Sequence, residues 1–169
     1  MLKFLDAISS LSGRVFTWLI LGVMLFTCAV VILRYLFGYS DVIFYQELVI
    51  YLHASAFMLA VAWTLKGDAH VRVDVLYRSM GVRAKAWVNI IGSLLFLLPV
   101  SCFLLITSFE FASQSWAVRE VSAEAGGIPA VFLLKSVIPV ASALLILQGL
   151  AELIRNSLVL FQHDIACSE

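Results

Sequence analysis

Six side chains stand out from an apolar background by the chemistry they offer. Gln46 and Glu47 open one apolar run, His53 and Ser55 lie within it beside Tyr51, and Lys135 stands alone in a later run. Glu47, Tyr51 and Ser55 follow one another at four-residue steps, which puts them on one face of a helix. Gln46 and His53 are seven apart and share a face as well. A carboxylate near the mouth of such a helix has three uses. It forms a polar first turn favoured by the helix dipole, it pairs with a cation on a packed partner, or it carries a proton as the working group of a small exporter. His53 is the one His within an apolar run, and a haem anchor normally supplies two axial ligands. It therefore reads as a packing histidine, with the membrane anchor of a redox enzyme as the competing reading. Lys135 lies about two turns into its run. Its stem allows the ammonium to reach the membrane boundary; otherwise it pairs with Glu110, with Glu124, or with a neighbouring subunit.

The elements that carry these groups follow from composition. The chain has 169 residues, 63% hydrophobic and 13% charged, with a net charge of zero. A soluble domain carries about 25% charged residues, so that class is excluded, and the neutral balance gives no footing for nucleic acid. Apolar runs at about 15–36, 46–65, 86–109 and 128–151 each suffice to cross roughly 30 Å of hydrocarbon. Lipid leaves the backbone no outside partners, so these runs must be helices. The expectation is an all-α membrane protein: one domain over 1–169 with four transmembrane helices. The first run is too long for a signal-peptide core and lacks a cleavage site, so it reads as an uncleaved span. Cys28, Cys102 and Cys167 form no CxxC pair and read as small apolar residues.

Four spans place both termini and the middle link on one side. That side holds Lys3, Arg14, Lys66, Arg72, Arg78, Arg83, Lys85 and Arg155; the other holds Arg34, Arg119 and Lys135. Eight against three predicts cytoplasmic termini. The middle link contains "GDAHVRVDVLYRSM", whose His70, Arg72, Asp74 and Arg78 are its anchor to the membrane surface. Val73, Leu76, Tyr77 and Met80 share a helix face, which predicts a short amphipathic interfacial helix. The N-terminus repeats that pattern with Leu2, Leu5, Ile8 and Leu11. On the opposite side "SAEAGGIP" reads as a structural turn, with Gly126 and Gly127 free in backbone conformation and Pro129 suited to a helix start. Small residues in rows, such as Ala56 with Ala60 and Gly92 with Ser93, allow close helix approach. Broken polar helices, inverted repeats and nucleophile or phosphate motifs are missing, so the chain reads as a partner subunit rather than a catalyst or a lone carrier.

Several stretches, in order, carry a resemblance. "RYLF", "QELVIYLH", "HVRVDVLY", "EAGGIPAVFLLKSVIPV" and "LLILQGLAELI" span roughly residues 12–156. Together they resemble the small membrane subunit of tripartite ATP-independent periplasmic (TRAP) transporters. The resemblance implies a bacterial inner-membrane scaffold with no cofactor of its own. Its partners are a large permease that uses the sodium gradient and a periplasmic solute-binding protein that delivers an organic acid. It also makes Arg34, Gln46, Glu47, Tyr51, Glu110, Glu124 and Lys135 candidates for subunit or docking contacts.

Overall fold

A computed structural model describes residues 2–38, 42–67, 77 and 79–166. Among these the chain is helical apart from its links, with no strand. Helix α1 spans Leu2–Tyr35 and α2 spans Ile43–Lys66. Helix α3 spans Val82–Val118, and α4 spans Val131–Ala166. All four are long and apolar enough to cross a membrane. Several hydroxyls inside the spans are satisfied by their own helix. Thr27 donates to the Val23 carbonyl at 2.7 Å, Thr107 to Phe103 at 2.9 Å and Ser142 to Ile138 at 3.0 Å. Such back-bonding lets Ser and Thr sit in apolar helices without an outside partner.

Helix α4 is central and packs against the other three, while α1 also lies along α2. The buried positions are nearly all small. Ala56, Ala60 and Ala62 come from α2, Ala112 with Ser101, Ser108 and Ser115 from α3, and Ala141, Ser142 and Ala151 from α4. Small residues bring backbones close, which supplies packing energy where lipid removes the hydrophobic drive between helices. The start of α1, the end of α2, the start of α3 and the end of α4 lie at one end of the bundle, called the terminal end. There Lys66 Nζ donates to Ser10 Oγ at 2.6 Å. The α1–α2 and α3–α4 links lie at the opposite end.

The helices overrun the expected spans in informative ways. The N-terminal stretch continues α1 instead of forming a separate element. Its inward face is also not the apolar one: Ser9, Ser12 and Gly13 are buried, and Leu11 is 60% exposed. Small size decides this, because the Trp63 side chain of α2 lies directly against α1 at Gly13. A Cβ on Gly13 would stand 2.5 Å from Cδ1 of the Trp63 indole. Gly13→Ala is therefore expected to push Trp63 off α1 and to cost about 1–3 kcal/mol, the range for overpacking. Trp63→Leu in the same chain should recover most of it, as read by thermal unfolding in detergent.

Helix α3 carries a π-helical segment at Ser93–Leu97, where the Leu98 N–H reaches back to the Ser93 carbonyl. Pro99 follows. It lacks an N–H and would press on the carbonyl four residues before it, and a wider turn relieves that contact. The widened turn sets Leu97 and Leu98 against Gly149 of α4, where a Cβ would lie 2.9 Å and 3.3 Å from their methyls. Helix α4 begins at Val131, so Pro129 stands two residues before the helix rather than in its first turn. The expected interfacial helix, with His70, Arg72, Asp74 and Arg78, lies outside the described residues.

Candidate functional site: the braced outer link

The α3–α4 link gathers most of the bundle's polar chemistry at the end away from the termini. Helix α3 stops at Arg119, which has a left-handed backbone with φ 46°. The Glu120 N–H bonds to the Ser115 carbonyl at 3.0 Å, and the Arg119 N–H to that of Trp116 at 3.2 Å. This is the paired cap that normally has Gly at the reversed position. The reversal turns Glu120 back over its own helix. Its carboxylate accepts from Ser115 Oγ at 2.7 Å and meets Lys135 Nζ of α4 at 2.5 Å. The Val131 N–H bonds to the Glu120 carbonyl at 3.1 Å and closes the link into a loop. Lys135 also lies over the Phe111 ring, 4.2 Å from its centre. Beside it Trp116 Nε1 donates to Ser136 Oγ at 2.7 Å, and the indole meets Phe132 edge-on.

A second brace comes from α2. Glu47 Oε2 accepts the Ile128 N–H at 2.6 Å, and its Oε1 accepts the Ser122 hydroxyl. Ser122 Oγ in turn accepts the Glu124 N–H at 3.1 Å. Gly126 has a φ of 85°, which favours glycine there. Gly127 is needed for another reason: a Cβ on it would stand 2.6 Å from Glu47 Oε1 and 2.5 Å from Ser122 Oγ. The carboxylate occupies the space a side chain would take. The Tyr51 hydroxyl is buried nearby and has no hydrogen-bond partner among the described residues.

The structure thus unites Glu47 and Gly127 in one brace and ties Lys135 into another. Lys135 pairs with Glu120, not with Glu110 or Glu124. Glu110 instead lies on the exposed face of α3, 3.5 Å from Gln114 Nε2, and Glu124 and Arg34 are exposed without an ion pair among the described residues. Gln46 is half-buried in the first turns of α2, and His53 faces outward from that helix. Sequence reasoning missed Glu120, Ser115 and Ser122 as partners. Nothing in the spacing signals them, because an Arg stands where a Gly would have marked the reversal. Among the described residues no three His, Cys, Asp or Glu side chains come together as metal ligands.

The Lys135 ammonium, followed by the Ser115 hydroxyl, holds the Glu120 carboxyl below its ordinary pKa of 4.5. A depressed carboxylate adds stability that is present above the unfolded pKa and is lost as pH falls through the folded one. Acidification below about pH 4.5 should therefore weaken the link, and the lost stability should be smaller in Lys135→Met. Melting temperatures of the two proteins between about pH 6 and pH 3.5 test this; parallel curves would exclude the pair as a contributor.

No curated protein and no solved structure matches the chain. A family model described as "Tripartite ATP-independent periplasmic transporters, DctQ component" matches residues 23–158. That stretch includes α2, α3, both braces and the whole outer link. Four helices long and apolar enough to cross a membrane agree with that match, and the chain belongs to the DctQ component family of tripartite ATP-independent periplasmic transporters.

Proposed function

We propose that this chain is the small scaffold subunit of a TRAP-type secondary transporter. It packs beside the large permease and supports sodium-coupled uptake of an organic acid delivered by a periplasmic binding protein. The observation that carries this reading is the composition of the core. Ala and Ser fill most of the buried positions among the described residues, and Glu47 and Lys135 bond to the α3–α4 link. A carrier that works alone normally needs polar groups aimed at a site near the bilayer midplane. Glu47, the candidate proton carrier of the exporter reading, has both oxygens engaged by the link. The redox-anchor reading rests on His53, which stands on the outward face of α2.

In this reading the terminal end faces the cytoplasm of a bacterial inner membrane, as the basic residues favour. The braced link then faces the periplasm. Arg34, Glu110 and Glu124 are exposed and available for docking, whereas Glu47 and Lys135 act by shaping the link. His70, Arg72, Asp74 and Arg78 hold the cytoplasmic link at the lipid surface, where each basic residue contributes about 1 kcal/mol.

Co-expression with the large permease tests the assignment. The two should co-purify at one copy each in mild detergent. Liposomes should take up solute only when both are present together with the binding protein and a sodium gradient. Uptake by this chain alone, or separate migration of the two subunits, would refute it.

A further inference from the structure

At the terminal end a line of hydrogen bonds passes through three segments of the chain. Asn89 Nδ2 on α3 donates to the hydroxyl of Tyr77, in the α2–α3 link, at 3.1 Å, and that hydroxyl lies 3.3 Å from Asn89 Oδ1. The same Nδ2 donates to Asn156 Oδ1 on α4 at 3.1 Å. Asn156 Nδ2 then donates to the Glu152 carbonyl at 2.8 Å, and Arg155 bonds the Glu152 carboxylate at 2.6 Å. Lys85 Nζ stands 5.2 Å from the centre of the Tyr77 ring.

A side-chain amide nitrogen has two protons to give. Asn89 gives one to the link and the other to α4, so both are used only while the three segments are together. Tyr77, Asn89 and Asn156 are all half-buried, where an unmet polar group is costly. Asn is also a weak helix former. Helix formation alone therefore gives no reason for Asn at 89 or 156, and the shared hydrogen bonds do.

We propose that Tyr77 is the positioning residue that fastens the α2–α3 link to the α3–α4 pair, with Asn89 as the shared node and Asn156 as the anchor. Tyr77 closes the stretch "HVRVDVLY", which carries His70, Arg72 and Asp74. The clasp holds the last residue of that stretch, Tyr77, against α3. Its attachment is thus a property of this chain, whatever solute or partner the bundle serves.

Trypsin digestion of the full chain in mild detergent tests the clasp, with cleavage between Lys66 and Lys85 as the readout. Tyr77→Phe keeps the ring and the Lys85 contact and removes only the hydroxyl. It should speed cleavage about fivefold, the change one net hydrogen bond makes to a local opening equilibrium, with the melting temperature unchanged. Asn89→Leu should speed cleavage at least as much and, because it also strands Asn156 Oδ1, should lower the melting temperature; the double variant should be cut no faster than Asn89→Leu alone, because Tyr77→Phe removes an interaction already lost there. If Asn89→Leu does not fold, the smaller change Asn89→Ala combined with Tyr77→Phe completes the same cycle. Cleavage of Tyr77→Phe at the unmodified rate would show that only the ring matters, and multiplied effects in the double variant would show that the two residues act separately. Either result overturns the proposal.

Discussion

Glu47→Ala lowers the stability of the bundle by about 3 kcal/mol and Glu47→Gln by about 1 kcal/mol, given that hydrogen bonds to a charged group contribute about 1.5–3 kcal/mol each. The difference lies in what each variant leaves behind. Alanine strips the Ile128 N–H and the Ser122 hydroxyl of their acceptors together. Glutamine still offers one oxygen to Ile128, and its amide can donate to Ser122 in place of the bond that Ser122 gave. Charge therefore matters less here than the presence of an acceptor. A carboxylate whose role was to pair with a cation on another subunit would behave differently, because glutamine and alanine would then be equally damaging to assembly. Unfolding and co-purification of the two variants separate these cases. Glutamine as harmful as alanine, with loss confined to assembly, would make Glu47 a direct subunit contact. Gly127→Ala should resemble Glu47→Ala, since its new methyl would occupy the place of the carboxylate.

Sequence legibility in this chain follows the range of the force involved. The four spans are readable because lipid imposes one local demand on every residue, that the backbone satisfy itself. Glycine 127 and the turn around it are readable as a turn for similarly local reasons. The partners are not. Ile128 lies 81 positions from Glu47, and Glu120 lies 15 from Lys135. That second pairing depends on a left-handed backbone at an Arg, a residue that carries no signal for it. The N-terminal helix shows a different limit. Its Leu2, Leu5, Ile8 and Leu11 read as one apolar face of an amphipathic helix. Within a membrane the outside is apolar too, so closeness of approach decides the inner face and the serines turn inward. Periodicity alone does not contain that inversion.

The same inversion places the most consequential polar contact of the core between α1 and α4. Gln148 is 0% exposed, the largest fully buried side chain among the described residues. Ser9 Oγ donates to its Oε1 at 2.6 Å, while its Nε2 has no partner among the described residues. Removing one member of a buried pair and removing the buried group itself have opposite consequences. Ser9→Ala leaves the whole Gln148 amide unmet and should cost about 2 kcal/mol, within the range of about 1–3 kcal/mol for stranding a buried polar group. Gln148→Leu is close in size, takes the amide away altogether and should leave stability unchanged or raise it slightly. The double variant should then match Gln148→Leu, not the sum. What Gln148→Leu should lose is register. A single buried polar group is a known device for selecting one alignment of packed helices, and without it only small side chains define how α1 lies along α4. Nitroxide labels at exposed positions 14 of α1 and 158 of α4, which leave residues 9 and 148 untouched, would report the native alignment by their separation. In the Gln148→Leu background the distance distribution should broaden to include an alignment offset by one helical turn, about 5 Å, while the melting temperature holds. A Gln148→Leu protein that is both destabilised and fixed in register would mean that the amide contributes stability through its bond to Ser9 and plays no part in alignment.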